Sequence, residues 1–225
     1  MALGPVLRHA LGPLEQPVAA LYRSVFIDLD AFVAQVALWA GRPGKLLELG
    51  CGEGAVLDRL ADAFPEASIT GIDITPRIGR LSQAGRARVA FRQITMKDYA
   101  AESPGVADLL VACDVLHHVP WEMHEDILRD AGRAVRPGGF IVIKDWQRRS
   151  TPIHLLCYLA DRYITGDRVR YKTGMELEET IVRVFGQQSI EARARIAPWT
   201  NNVAYLVRIR SGPDSGAAQS EAKGS

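Results

Sequence analysis

The segment Leu46-Leu47-Glu48-Leu49-Gly50-Cys51-Gly52-Glu53-Gly54 joins a short apolar strand to a glycine-rich turn. Apolar residues then recur with the period of a helix, at Val56, Leu57, Leu60, Ala61 and Phe64. Glycines let the backbone approach a ligand where a Cβ would clash, and the start of a helix directs free N–H groups at the same space. A strand, a turn and a helix in this order favour a binding site for a ligand that carries a nucleoside.

The spacing of the glycines narrows the kind of ligand. Gly50, Gly52 and Gly54 follow a G-x-G-x-G pattern, whereas a dinucleotide site has G-x-G-x-x-G. The alternative is that these glycines only make a tight turn between the strand and the helix.

Two carboxylates near the turn favour a ligand over a simple turn. Glu48 lies inside the apolar strand, where a buried carboxylate is unfavourable without a partner such as a cationic ligand or an amino group reached through water. Asp73 lies near the end of the second predicted strand, 68–74, where a carboxylate can accept hydrogen bonds from both hydroxyls of a ribose.

Strands and helices alternate along the rest of the chain. Further strands are predicted at 89–94, 108–113, 140–144, 189–196 and 203–209, and helices at 27–40, 120–135 and 173–185. The last helix begins with a capping box of Thr173 and Glu176, and Gly186 ends it. This alternation predicts an α/β fold with a mostly parallel sheet covered on both faces, and the short link between the last two strands predicts an antiparallel hairpin.

The bulk composition fits a globular protein with balanced charge. The 225 residues are 48% hydrophobic, and 27 basic against 26 acidic residues give a net charge of +1. This balance gives no pull toward nucleic acid or an anionic membrane, and we find neither a signal peptide nor an apolar run that spans a bilayer. Three scattered cysteines, Cys51, Cys113 and Cys157, favour a reducing compartment and no metal site. We therefore expect a cytoplasmic protein with neither a nucleic acid nor a membrane as partner.

Five motifs occur in order within residues 42–146. They are Glu48-x-Gly50-x-Gly52-x-Gly54, Gly71-Ile72-Asp73-Ile74, Asp108-Leu109-Leu110-Val111, Val115-Leu116-His117-His118-Val119 and Val135-Arg136-Pro137-Gly138-Gly139. In this combination the chain resembles the class I S-adenosylmethionine-dependent methyltransferases that act on small molecules. The resemblance implies a Rossmann-like seven-stranded sheet in the order 3-2-1-4-5-7-6, with strand 7 antiparallel. It also implies S-adenosyl-L-methionine as the cofactor.

The resemblance further implies which residues hold the cofactor. Glu48, Gly50 and Gly52 carry over to its methionine end, and Asp73 carries over to its ribose. The other candidates for this site are Cys51, Gly54, Ile74, Thr95, Met96, Cys113 and Asp114.

The adenine position departs from the family pattern. Family members often have an acidic residue within a Gly-Asp-Ala-like triplet that reads the adenine amino group, and here Ile94-Thr95-Met96 stands in its place. Thr95 can accept a hydrogen bond, Met96 can cover the ring, and Asp98 can substitute for the acid.

Candidate catalytic residues lie at and beyond the ends of the fourth and fifth strands, the edge at which such sheets bind ligands. They are His117, His118, Lys144, Asp145 and His154. Each has a structural alternative: the histidine pair can be a helix start near the cofactor, Lys144 and Asp145 can pair with each other, and His154 can be a partly buried helix residue. The methyl group on the sulfonium is already activated, so the need for a catalytic base depends on the acceptor. A hydroxyl acceptor usually needs a base, whereas an amine needs only to be deprotonated.

We predict one methyltransferase domain over residues 1–210, with a helical cap at 1–41, a lid at 147–172 between the fifth strand and the next helix, and a disordered tail at 211–225. The lid contains a predicted helix at 153–164. Candidate substrate-binding residues are Trp146, Arg149, Tyr158, Arg168 and Tyr171. Guanidinium and aromatic groups suit a planar or anionic small molecule. The alternatives are arginines that only solvate a helix face and a Trp146 that belongs to the core.

These observations predict methyl transfer to an oxygen, nitrogen or carbon atom of a small metabolite in specialised, natural-product metabolism. Two other functions stay open. One is a non-catalytic methyltransferase-like binding module, which would have a cofactor site without an acceptor pocket beside it. The other is a nicotinamide-dependent oxidoreductase, which the glycine spacing disfavours.

Overall fold

The computed structural model of the chain describes residues 25–83, 88–160 and 169–210, except for the side chain of Ala160. Arg168, the predicted tail and residues 1–24 of the predicted cap lie outside these ranges. Within them, no helix combines the length and the apolar character that a bilayer crossing requires. The division into cap, domain and lid stays a prediction.

A seven-stranded sheet in the order β3-β2-β1-β4-β5-β7-β6 forms the centre of the molecule. The strands are β1 (Lys45–Leu49), β2 (Ser68–Asp73), β3 (Val89–Gln93), β4 (Ala107–Cys113), β5 (Val135–Trp146), β6 (Ile190–Arg195) and β7 (Asn202–Arg208). The first five strands pair in parallel, and β7 runs antiparallel to both β5 and β6. The predicted fold class, strand order and direction of strand 7 are confirmed.

Six helices are described. They are α1 (Leu29–Ala40), α2 (Ala55–Ala63), α3 (Met96–Glu102), α4 (His124–Ala134), α5 (Pro152–Ala160) and α6 (Gly174–Phe185). The capping box at the start of α6 is present, because the Thr173 hydroxyl accepts from the backbone N–H of Glu176 and the Glu176 carboxylate accepts from that of Thr173. Gly186 ends this helix with a φ of 92°, a value that glycine adopts without strain.

The two faces of the sheet are buried in separate cores. On β5, Ile141 and Ile143 join the core under α4 and α6, whereas Val142 joins the core under α1 and α2. This alternation is the ordinary consequence of strand geometry, in which successive side chains point to opposite faces. Burial on both faces fixes the sheet, and the carboxyl ends of β1, β2, β4 and β5 therefore meet along one rigid edge.

Three predicted boundaries are wrong. The helix predicted at 120–135 begins only at His124, because Pro120 is extended (ψ 138°) and a separate 3-10 turn occupies Trp121–Met123. The fifth strand begins at Val135 instead of at residue 140, and it passes through the predicted Pro-Gly-Gly break. Glycine is required at position 139, since a Cβ there would lie 2.8 Å from the Asp108 carbonyl oxygen. The lid helix begins at Pro152, one residue early, and its predicted end lies outside the described residues.

Candidate functional site

The glycine-rich turn between β1 and α2 has the backbone that the sequence predicts. Gly50, Gly52 and Gly54 have φ values of 71°, 49° and 100°, a region that side chains disfavour. A Cβ on Gly50 would also lie 2.5 Å from a methyl group of Val115, which comes from the loop after β4. Nothing lies within 4 Å of the Cβ position of Gly52, so space is open beside that residue. The turn thus places backbone without side chains at the carboxyl end of β1.

Glu48 is buried beneath this turn, with 2% of its surface exposed. Its Oε2 has no hydrogen-bond partner among the described residues. Burial, together with the negative charges of Asp73 and Asp58, raises the pKa of its carboxyl from 4.5 to about 8. A cationic group beside Glu48 would give its Oε2 a partner and would offset the repulsion from Asp73 and Asp58. The residues therefore fit S-adenosylmethionine, whose sulfonium and amino groups are cationic.

Asp73 stands at the end of β2, next to the turn. Its two oxygens each accept a backbone hydrogen bond of 2.8 Å, from Gly52 and from Thr75. These bonds orient the carboxylate, and each oxygen keeps a lone pair for a further donor. Ile74, which follows it, is 73% exposed and lies beside this carboxylate. This geometry suits the ribose contact that the resemblance implies.

At the predicted adenine position, Thr95 is the N-cap of α3. Its hydroxyl accepts from the backbone N–H of Asp98 at 3.1 Å and donates to the Asp98 carboxylate at 2.7 Å. Met96 is 5% exposed and packs in the core under α4 and α6. The assignment of these three residues to adenine stays a prediction.

Lys144 and Asp145, at the end of β5, do not pair with each other. Because successive residues of a strand point to opposite faces, Lys144 reaches Asp114 across one face, at 2.6 Å from Nζ to Oδ2, while Asp145 meets His117 on the other. Asp114 has a positive φ of 56°, uncommon for a residue with a side chain, and its N–H donates to the Lys144 carbonyl. Cys113 lies beside this pair, with its sulfur 3.7 Å from the Asp114 carboxylate.

His117 and Asp145 form a buried dyad. The His117 ring bonds through Nδ1 to Oδ1 of Asp145, and the backbone N–H of His117 donates to Oδ2 at 3.1 Å. The N–H of Trp146 adds a third bond, of 2.8 Å, to Oδ1. Burial alone would raise the pKa of Asp145, but the charges of His117 and Lys144 together with these donors hold it below its usual value. In the neutral form of His117, an ionised Asp145 keeps the ring proton on Nδ1.

Asp114, His117 and Asp145 also have the donor types of a metal site. One ligand atom from each lies within 4.8 Å of the others. The Lys144 ammonium already neutralises Asp114, so a divalent cation would have to displace it. The Lys144 ammonium therefore occupies the place beside Asp114 that a metal ion would take.

The other two histidines have different surroundings. His118 is exposed, and its ring centroid lies 4.2 Å from that of His117. His154, on α5, accepts a hydrogen bond of 3.0 Å at Nδ1 from the indole of Trp146. Since indole nitrogen can only donate, a neutral His154 carries its proton on Nε2 and offers no free basic nitrogen. Trp146 is 3% exposed, and it belongs to a small core that includes Cys157 and Tyr171.

An open cavity of about 1010 Å³ lies between α5, the 3-10 turn and the segment before α6. Rings and guanidinium groups line it, among them those of Trp121, Arg148, Arg149, Tyr158, Arg170 and Tyr171. No aspartate or glutamate belongs to the lining among the described residues. Arg149, Tyr158 and Tyr171 are thus where the lid prediction needs them, whereas Trp146 lies behind the wall.

The cavity and the dyad share a wall. The Tyr171 ring, which lines the cavity, stacks on His117 at 5.0 Å between centroids, and His154 meets its edge at 5.1 Å. Trp121 also lines the cavity, although the sequence does not predict it as a site residue. Its indole donates to the Arg170 carbonyl at 3.1 Å, and only its place directly after Pro120, outside the helix, could have singled it out.

Known proteins match this chain in both sequence and structure. Residues 47–141 match the methyltransferase domain family. The ubiquinone biosynthesis O-methyltransferase of Chromobacterium violaceum is 28% identical over 160 residues, 69% of this chain and 60% of that protein. The trans-aconitate 2-methyltransferase of Methylobacterium nodulans is 35% identical over 126 residues, 55% of this chain and 46% of that protein. The chain therefore spans roughly half the length of the curated relatives it matches.

Solved structures share the fold. The S-adenosylmethionine-dependent methyltransferase SibL, in its apo form, aligns with a TM-score of 0.68 at 19% identity over 90% of this chain and 59% of that one. The 1,6-didemethyltoxoflavin-N1-methyltransferase of Burkholderia thailandensis, with 1,6-didemethyltoxoflavin and S-adenosylhomocysteine bound, aligns with a TM-score of 0.65 at 16% identity over 92% of this chain and 88% of that one. Residues 47–141 are therefore similar to a methyltransferase domain, and the sheet order is that of the fold shared with these S-adenosylmethionine-dependent methyltransferase structures.

Proposed function

We propose that this chain binds S-adenosylmethionine and transfers its methyl group to an oxygen, nitrogen or carbon atom of a small metabolite. The observation that carries the proposal is the place of the His117–Asp145 dyad. Its Asp145 and His117 atoms lie within 4.8 Å of Asp114 at the end of β4, and the same His117 stacks on the cavity wall at Tyr171. In this proposal the dyad stands between the cofactor edge of the sheet and a cavity large enough for the acceptor.

The residues divide the reaction between them. The cofactor supplies a methyl group on a positively charged sulfur, which makes the carbon electrophilic. Glu48 would contact the cationic methionine end of the cofactor, and Asp73 would contact its ribose. The glycine turn has no side chains that would block the cofactor from approaching the backbone. In this proposal the imidazole of His117 would take the proton of a hydroxyl acceptor, and Asp145, bonded to its Nδ1, would stabilise the imidazolium that results. Tyr171 and Trp121 provide an aromatic wall on the acceptor side.

The cavity supports an acceptor that is planar and anionic. Three guanidinium groups and several aromatic rings line it. Arg148 is ion-paired with Glu176 at 3.4 Å and Arg170 with Glu122 at 3.9 Å, while Arg149 has no carboxylate partner among the described residues. Arginine suits carboxylates because its planar fork gives paired hydrogen bonds. A role in natural-product metabolism draws support from the fold shared with the toxoflavin enzyme, and the free cysteines support a cytoplasmic place. Among the described residues, the cavity lining does not form the extended basic stripe that nucleic acid needs.

A direct test combines binding with turnover. Calorimetric titration with S-adenosylmethionine should give one site per chain. Incubation with methyl-labelled cofactor and a panel of hydroxybenzoates, each matched by the phenol that lacks the carboxylate, should label the acids in preference to the phenols. Failure of the folded chain to bind the cofactor at millimolar concentration would refute the proposal.

Replacing Asp73 with alanine is expected to weaken the binding of S-adenosylmethionine by about 1–3 kcal/mol, the scale of hydrogen bonds to a charged group. Titration calorimetry measures the change. Asp62→Ala, on the exposed face of α2, is the matched control and should leave the dissociation constant unchanged. Because Asp73 also accepts from Gly52 and Thr75, the melting temperature is measured alongside. A dissociation constant that does not move would place the ribose elsewhere.

Replacing Arg149 or Arg170 with glutamine is expected to raise the KM of a labelled hydroxybenzoate about tenfold, since each loses a charge-assisted hydrogen bond. The KM of the matched phenol should stay within twofold. Arg42→Gln, exposed and far along the sequence from the lid, is the control. Equal changes for acid and phenol would show that these arginines only support the structure.

The two alternatives are less favoured. A non-catalytic module predicts a cofactor site with no acceptor space beside it, and the cavity that shares Tyr171 with the dyad argues against it. A nicotinamide oxidoreductase conflicts with the glycine spacing and with an acidic Glu48 site suited to a cation. Competition between NADH and S-adenosylhomocysteine for the site would reveal the latter.

A further inference from the structure

Helix α5 is apolar on both of its faces. Its inner face packs Ile153 and Cys157 against the small core around Trp146 and Tyr171. Its outer face presents four large side chains to solvent: Leu155 at 59%, Leu156 at 51%, Tyr158 at 42% and Leu159 at 40% exposure. At about 100° of rotation per residue, these four share one side of the helix.

This exposure is concentrated on the one helix. Four of the eleven large hydrophobic side chains that are exposed among the described residues lie on its nine residues. A helix that is apolar all round is ordinarily covered, by the core of a larger protein or by lipid. Contiguous exposed apolar surface of this kind marks a contact with another phase or molecule.

The apolar face is flanked by positive charge. Leu155 and Tyr158 line the same cavity as Arg148, Arg149 and Arg170, so the guanidinium groups lie next to the helix face. The sequence from Trp146 to Ala160 contains no aspartate or glutamate. Arg148 and Arg170 keep 51% and 66% of their side chains exposed, although each is ion-paired with a glutamate, Glu176 at 3.4 Å and Glu122 at 3.9 Å. The surface is therefore leucine-rich with a small positive excess, which comes from Arg149.

That combination selects one occupant among three. A second copy of the chain related by a two-fold axis would bring like charges together. A protein partner would need hydrogen-bonding groups among its contacts, and the outer face of α5 gives only the Tyr158 hydroxyl. The hydrocarbon of a lipid bilayer needs no hydrogen-bonding groups from the protein, and anionic lipid headgroups can pair with the arginines.

We propose that the outer face of α5, with Arg148, Arg149 and Arg170 at its border, docks the protein on an anionic lipid surface. Docking would hold the mouth of the cavity at that surface, because Leu155 and Tyr158 belong to both. The net charge of the whole chain, +1, predicted no membrane partner. That value is an average over the entire surface, whereas binding to lipid depends on the local positive charge beside α5. The inference goes beyond methyl transfer and does not depend on it.

The test is co-sedimentation of the full chain with vesicles, without cofactor or acceptor. The chain should bind vesicles of mixed phosphatidylglycerol and phosphatidylcholine about fivefold more tightly than vesicles of phosphatidylcholine alone, since one net positive charge remains near the surface after the two ion pairs. Binding should weaken as salt is added. The double variant Leu156→Gln/Leu159→Gln, which leaves the cavity lining untouched, should bind about tenfold more weakly. Leu38→Gln, on α1 and 77% exposed, is the matched control and should bind normally.

Several results would overturn the proposal. They are no binding to the anionic vesicles, equal binding to neutral ones, or an equal loss in the Leu38 control. A dimer in sedimentation velocity that the double variant dissociates would identify a second copy instead. Binding to an acidic polypeptide such as polyglutamate, without binding to vesicles, would identify a protein partner. Titration of the same variant with S-adenosylmethionine keeps the two questions apart, since cofactor binding should be unchanged.

Discussion

Replacing Glu48 with glutamine is expected to have two opposite effects: binding of S-adenosylmethionine weakens about 10- to 100-fold, and the cofactor-free protein becomes more stable at alkaline pH. The first effect is the loss of a charge-assisted contact to a cationic ligand. The second follows from the raised pKa of this buried carboxyl, about 8. A side chain with only a structural role would not give this reversal.

The pH dependence has a definite sign. Folded Glu48 holds its proton more tightly than the unfolded chain does, so its contribution to stability is fully present below its ordinary pKa of 4.5 and is lost as the pH rises to about 8. Glutamine does not titrate. Glutamine should therefore differ least from wild type near pH 5, and between pH 5 and pH 8.5 its advantage should grow by about 4 kcal/mol, since each pKa unit corresponds to about 1.4 kcal/mol.

Urea unfolding at the two pH values and calorimetric titration measure both effects. Glu66→Gln, an exposed carboxylate after α2, is the control and should show neither. Binding of the cation should also release a proton at pH 7, which appears as a dependence of the calorimetric heat on the buffer. Tight cofactor binding by the variant, with stability unchanged at high pH, would contradict the assignment of Glu48.

Replacing Asp145 with asparagine is expected to lower kcat for a hydroxybenzoate by about 100- to 10,000-fold, the contribution of a positioned base. Asp145 accepts from three donors, two of His117 and one of Trp146. An amide in its place always turns its own N–H₂ toward one of those donors, so it no longer fixes the proton on Nδ1 or stabilises the imidazolium.

The measurement is a pH profile of kcat with the hydroxybenzoate that the panel identifies. The variant should recover rate as the pH rises toward the pKa of the phenol, because the acceptor then ionises without a base. KM and the dissociation constant of S-adenosylmethionine should change less than threefold. A loss that appears in cofactor affinity or in melting temperature, and that high pH does not restore, would mean that Asp145 only holds the structure.

The cofactor half of the molecule was predictable because its signals are local. Gly50 and Gly54 need positive φ, and Glu48 is a carboxylate inside an apolar strand, so adjacent residues already contain the information. Sheet order followed from the resemblance. The capping box of α6 was equally local, because Thr173 and Glu176 are one helical turn apart.

The acceptor half was less predictable because its contacts join distant segments. Nothing near Lys144 in sequence shows that Asp114 is its partner, and the pairing of His117 with Asp145 spans two strand ends. Trp121 reaches the cavity only because Pro120 delays the helix by one 3-10 turn. Long-range packing, which no local pattern encodes, determined all three.

The alternation of Lys144 and Asp145 on β5 makes this site intolerant of insertions and deletions. Gaining or losing one residue in the strand would exchange the two side chains between the faces of the sheet. The ammonium would then face His117 and the carboxylate would face Asp114, so that two attractive pairs would become repulsive together. Single substitutions within β5 leave this arrangement in place. An insertion or deletion between Phe140 and Trp146 would disrupt the charge pairs as well as the packing of the strand.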